Sequence, residues 1–88
     1  FDVNFGDVVV FPNPATETVN LSVKDFAGQA ATVVVYDLFG KAVYQQEFLS
    51  LPSVPMEINL TDYRSGVYHI TVAVDGYRLI TKKLVVQD

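Results

Sequence analysis

The sequence predicts an all-β domain, a β-sandwich of about seven short antiparallel strands. Three observations carry this expectation. Apolar and polar residues alternate with the two-residue period of half-buried strands. Turn-forming residues recur roughly every 8–12 residues. No long stretch shows a helical period. The chain has 88 residues, which suits one domain, and 50% of them are hydrophobic, so it has the apolar content to fold.

The elements follow in order. Phe1 to Gly6 is read as a linker remnant or as a first edge strand through Val3 and Phe5, and residues 7–88 as the domain. Val8-Val9-Val10-Phe11 is continuously apolar, which predicts a strand covered on both faces. Pro12-Asn13-Pro14 ends it, because proline fixes φ, removes a donor and keeps the preceding residue extended. The chain there is stiff and unpaired, as in a crossing between sheets or around a corner. Thr18 to Val23 resumes pairing, with Val19, Leu21 and Val23 on one face.

A turn with Gly28 leads into Ala31 to Leu38, the most β-prone stretch and the expected centre of a sheet. Gly40 can take positive φ and closes a hairpin into Ala42 to Phe48. After a loop with two prolines, Met56, Ile58 and Leu60 alternate with polar residues. "TDYRSG" is a turn in which Asp62 or Ser65 can bond nearby backbone.

Asp75-Gly76 then separates two alternating runs, a signal for a two-residue type I′ hairpin. Tyr68, Ile70, Val72 and Val74 face one way in the first run; His69, Thr71 and Ala73 face the other. In the second run Leu79 is out of phase with Ile80, Leu84 and Val86. This leaves two alternatives, partial cover of both faces or a bulge near Thr81-Lys82-Lys83.

Several chemistries are disfavoured. The chain has no cysteine, hence no disulfide and no thiolate ligand or nucleophile. Six Lys and Arg against ten Asp and Glu give a net charge of −4, unsuited to tracking phosphates, so nucleic acid is not an expected partner. No apolar run approaches the ~20 residues of a membrane-spanning helix. The single histidine, His69, is read as a surface or half-buried strand residue opposite a lysine, and no serine sits in a nucleophile elbow, so the chain is not expected to be an enzyme. The aspartates fall singly at turns, and neither a calcium loop nor a zinc ligand set is present. No cofactor is expected. Five Tyr and six Phe suggest core and cross-strand partners before a sugar-stacking platform. The pair Lys82-Lys83 reads locally as protection of an exposed sheet edge. The chain starts at Phe1, and it is read as a piece of a longer precursor.

Three stretches in order, "FPNPATETVNL", "LTDYRSGVYHITV" and "KKLVVQD", resemble the type A C-terminal sorting domain of the type IX secretion system of Bacteroidetes. The matching residues are Pro12-Asn13-Pro14, Gly66-Val67-Tyr68 and Lys82-Lys83-Leu84-Val85-Val86; "YDLFGKAV", with Gly40, looks like the family's mid-domain hairpin. The chain ends Gln87-Asp88, where many members carry a basic residue.

The resemblance implies an Ig-like sandwich fused behind an N-terminal cargo and exported through the periplasm to the cell surface or beyond. The implied partners are the outer-membrane translocon, its shuttle protein and a surface sortase-like protease. On this reading Gly66, Tyr68, Lys82, Lys83, Leu84, Val85 and Val86 carry recognition. Pro12, Asn13, Pro14, Gly40, Asp75 and Gly76 are structural. The competing reading is an Ig-like accessory or carbohydrate-binding module of a secreted enzyme.

Overall fold

The computed structural model describes residues 7–75 and 78–87. The expectation for Phe1 to Gly6 therefore lies outside the described residues, as do Gly76 and Asp88.

Seven strands are described: β1 (Val9–Phe11), β2 (Thr18–Ser22), β3 (Ala31–Tyr36), β4 (Ala42–Phe48), β5 (Met56–Asn59), β6 (Gly66–Val74) and β7 (Arg78–Val86). They form two antiparallel sheets, in the orders β1-β2-β5 and β4-β3-β6-β7. This is an immunoglobulin-type sandwich in which the second sheet carries one strand beyond the three-stranded minimum.

Alternation decides which side chains are inside. Val19 and Leu21 of the first sheet, with Val23 just after β2, meet Val33, Val35, Ile70, Val72 and Leu84 of the second, and all are buried. Each such side chain contributes about 1.5–3 kcal/mol relative to exposure. No buried side-chain nitrogen or oxygen among the described residues lacks a partner.

The structure departs from the sequence reading in several places. β1 is not covered on both faces: Val8 is buried, but Val9 and Phe11 are exposed. Each sheet of a two-layer sandwich packs on one face only, so β1 turns one face to the core and the other to water. The turn near Asp25 contains a short 3-10 helix, Lys24–Phe26, that buries Phe26 in the core. The side chain that bonds the turn after β5 is Asn59, which accepts from the Thr61 N–H at 2.8 Å, and not Asp62 or Ser65. The β6–β7 pairing is unbroken from Gly66↔Val86 to Val74↔Arg78. There is thus no bulge at 81–83, and Leu79 is simply exposed (67%). Asp75 takes φ 54°, and the rest of the expected Asp75-Gly76 turn lies outside the described residues. The bulge lies elsewhere, between β3 and β4, where the register shifts at Val35/Tyr36.

β1 and the segment after it explain the abrupt stop of the first strand. β1 pairs with β2 in one sheet, and after the two prolines Ala15 bridges in parallel to Val86 in the other. The chain thus switches sheets across the open side of the sandwich. The Phe11–Pro12 and Asn13–Pro14 peptide bonds are both cis.

Candidate functional site at the terminal hairpin

β7 is an edge strand, and its outer edge is divided into two halves. Over the C-terminal half, residues 13–15 act as a strap. The Asn13 side-chain amide donates to the Lys83 carbonyl at 2.9 Å and accepts from the Val85 N–H at 3.0 Å. One side chain thus supplies the donor and acceptor that a neighbouring strand would supply. The Ala15 N–H donates to the Val85 carbonyl at 2.8 Å, and the Gln87 N–H donates to the Ala15 carbonyl at 2.7 Å. Ala15 is itself buried, and its small side chain lets the strap lie close. Pro12 and Pro14 flank Asn13 and stay exposed, holding the amide on a stiff frame. Asn13→Ala is expected to cost about 1 kcal/mol, since water replaces part of an exposed pair of bonds. Hydrogen exchange should show the Val85 amide losing protection while the core amides of β6 keep theirs.

The N-terminal half of the β7 edge has no such strap among the described residues. Below it, Lys82 points into the mouth of the sandwich and its Nζ meets Asp7 at 3.1 and 3.2 Å. Asp7 is held below the ordinary carboxylate range, first by the Val8 N–H, which donates to its Oδ1 at 2.8 Å, and then by Lys82. An inward-pointing charge on an edge strand discourages indiscriminate sheet pairing. Lys83 is exposed on the outer face, opposite His69 of β6.

The second of the three motifs, Gly66-Val67-Tyr68, lies on the neighbouring strand. Gly66 opens β6 at φ 151°, a conformation disfavoured for side chains, and pairs with Val86; space is not the constraint, since an added Cβ would meet nothing within 4 Å. Tyr68 pairs with Leu84 and is 7% exposed. Its hydroxyl donates to the Arg64 carbonyl at 2.7 Å, four residues upstream. This is the tyrosine corner of immunoglobulin-type sandwiches, which pins the turn entering this strand. Its ring also contacts Tyr63, with centroids 5.4 Å apart at 37°. Burial pushes the Tyr63 hydroxyl above its ordinary value, and Tyr44 and Tyr68 add to the shift; burial alone raises Tyr44.

An open groove of about 580 Å³ lies at this end of the sandwich, between Asp37–Val43 and Asp62–Tyr68. Asp37 builds its rim. Its Oδ1 accepts from the N–H groups of Phe39 and Lys41, both at 2.9 Å, and Gly40 turns the chain at φ 81°. Phe39 stands at the tip, 94% exposed.

The structure therefore brings the three motifs together. Asn13 touches Lys83 and Val85, Gly66 pairs with Val86, and Tyr68 pairs with Leu84. Within the last motif the roles separate. Leu84 and Val86 are buried in the core, and Val85 is half-buried with its backbone bonded to the strap. Lys83 projects into solvent, and Lys82 is ion-paired. Sequence reasoning missed Ala15 and Asp37 as positioning residues. The signal for Asp37 was present, an Asp opening a Gly-containing turn; nothing local marks Ala15.

Comparison with known proteins agrees with this architecture. A DUF3244 family protein from Bacteroides vulgatus, with an immunoglobulin-like β-sandwich fold, superposes with a TM-score of 0.74 at 15% identity, covering 91% of this chain and 84% of that one. The endo-acting ulvan lyase of Formosa agariphila is 32% identical over 81 residues, which is 92% of this chain and 15% of the lyase. The chain thus spans about 15% of the length of that curated relative. The family model for the secretion system C-terminal sorting domain matches residues 9–87. The chain belongs to that family, whose members direct type IX export to the cell surface or extracellular space.

Proposed function

We propose that residues 7–88 form a sorting unit fused behind a cargo protein, and that the terminal hairpin β6–β7 is the part that the export machinery reads. The cargo reaches the periplasm by an ordinary signal peptide. The folded unit then presents its edge strand to the outer-membrane translocon and its shuttle protein, and a surface sortase-like protease releases the cargo from it. In this scheme Lys83 supplies charge from the solvent side, while Gly66, Tyr68, Leu84 and Val86 hold the presenting strand in place. The observation that carries the reading is the position of β7: it closes the span that the family model matches, it lies at a sheet boundary, and it carries an exposed lysine in a chain of net charge −4. The sugar-binding alternative calls for a platform of solvent-facing rings; Phe39 faces solvent alone at the groove tip, whereas Tyr68 is buried with its ring tilted against Tyr63.

The test is a folded reporter fused ahead of the full chain in a host with a type IX system. The native fusion is expected in the medium or on the cell surface. Deletion of Thr81 to Asp88 is expected to leave it in the periplasm. Undiminished export after the deletion refutes the reading.

A further inference from the structure

We infer that the outer edge of β7 from Leu79 to Lys83 is a site of strand addition, at which an extended segment of a partner protein pairs main chain to main chain. The segment carries a carboxylate placed beside Lys83 and an apolar side chain beside Leu79. The inference rests on the sorting reading above and identifies the surface that reading uses.

In an antiparallel ladder, backbone groups of alternate residues point toward and away from the paired strand. The Val85 N–H and carbonyl and the Lys83 carbonyl all bond to the strap, so the odd-numbered residues of β7 point away from β6. By the same alternation the N–H and carbonyl of Leu79 and Thr81, and the N–H of Lys83, also point outward. Among the described residues none of these groups has a partner. The gap is five residues, roughly 17 Å of strand.

The gap is bounded. At Lys83 the Asn13 amide occupies the edge, and beyond it Ala15 continues the strap in parallel with β7. Upstream of Asn13 the chain departs to pair with β2 in the other sheet. An added strand therefore stops at Lys83, which fixes its register and length. The Lys82–Asp7 pair closes the sandwich beneath the gap without using any outward backbone group.

Side chains define the partner. Leu79, Thr81 and Lys83 share the outer face, and neighbours on an added strand lie directly beside them. Leu79 is 67% exposed, and Lys83 is exposed with no carboxylate in ion-pair range among the described residues. Main-chain bonds supply affinity in this mode of recognition, and alternate side chains supply specificity.

Thr81→Pro tests the inference. The lost N–H points into the gap, so the ladder with β6 keeps its bonds, and proline is tolerated at outward edge positions. In the reporter fusion, Thr81→Pro is expected to lower export roughly tenfold. Lys83→Glu is expected to lower it severalfold. Val19→Ala, in the other sheet, serves as a folded control of reduced stability and is expected to export normally at a permissive temperature. Export of Thr81→Pro within about twofold of native overturns the inference. If Thr81→Pro does not fold, hydrogen exchange on the native chain decides: the Thr81 and Lys83 amides are expected to exchange fast while Val85 and Gln87 are protected. A protected Thr81 amide in the free monomer means that the chain fills its own gap and overturns the proposal. A native dimer that Thr81→Pro dissolves identifies a second copy as the occupant and overturns it too. Loss of export on deleting Thr81 to Asp88, with export kept by Thr81→Pro, strikes this inference alone; failure of the native fusion to be exported strikes the sorting reading as well.

Discussion

Tyr68→Ala is expected to destabilise the domain by about 3–5 kcal/mol, and Tyr68→Phe by about 1–2 kcal/mol. The alanine variant removes a nearly buried ring that packs on Tyr63 and opposes Leu84. The phenylalanine variant removes only the 2.7 Å bond to the Arg64 carbonyl. Arg64 is exposed, so water takes up part of that loss, which keeps the second figure small. A domain of this length has roughly 4–13 kcal/mol in total, so the first variant consumes a large fraction of it. Denaturant titration of the two variants separates the contributions. Equal stability of Tyr68→Phe and the native chain would show that the corner bond contributes nothing. In the reporter fusion, Tyr68→Phe is expected to be exported, because the ring that braces the terminal hairpin is retained.

Leu84→Ala and Lys83→Ala are expected to act in opposite ways although the residues are adjacent. Leu84 is buried against both sheets, so its truncation costs about 2–5 kcal/mol. Lys83 is exposed and unpaired, so its loss changes stability by no more than about 0.5 kcal/mol. Export should reverse the ranking once stability is taken into account. Lys83→Ala is expected to lower export with no shift in the melting curve. Leu84→Ala is expected to lower it only as far as the unfolded fraction rises, and cooling should restore it. If Leu84→Ala stays folded and still fails at low temperature, the machinery reads the aliphatic side chain itself. Such a result would mean that the tail leaves the sandwich during recognition.

Much of the fold was legible because burial in a sandwich is a local, alternating property. The runs around Val19, Ile58 and Ile70 each state which face is inside, and the sheets obey them. Ranges failed where context outside the run decides. The apolar stretch at Val8 reads as doubly covered, yet a sheet with only one other layer against it has only one packed face. Phe26 was invisible as core because a single turn of 3-10 helix has no period to detect. The candidate site was legible as motifs but not as a unit. Asn13 and its partners stand 70 and 72 positions apart, and no local pattern states that an amide between two prolines completes the edge of the last strand. Likewise the family's lysine-aliphatic run reads as one block, whereas the two-residue alternation of a strand divides it between core and solvent. The sorting-tail domain to which the chain belongs is a signal domain.

The parallel strap has a mechanical consequence. Residues 13–15 run alongside 83–87 in the same direction, so tension applied between the chain before the strap and the chain after β7 slides the two segments past each other. The bonds of the Asn13 amide and of Ala15 then share the load and must yield together, rather than one after another as in a zipper. A passenger pulling on one terminus while the other is anchored loads this patch once Val8 and β1 have come away from the core and from β2.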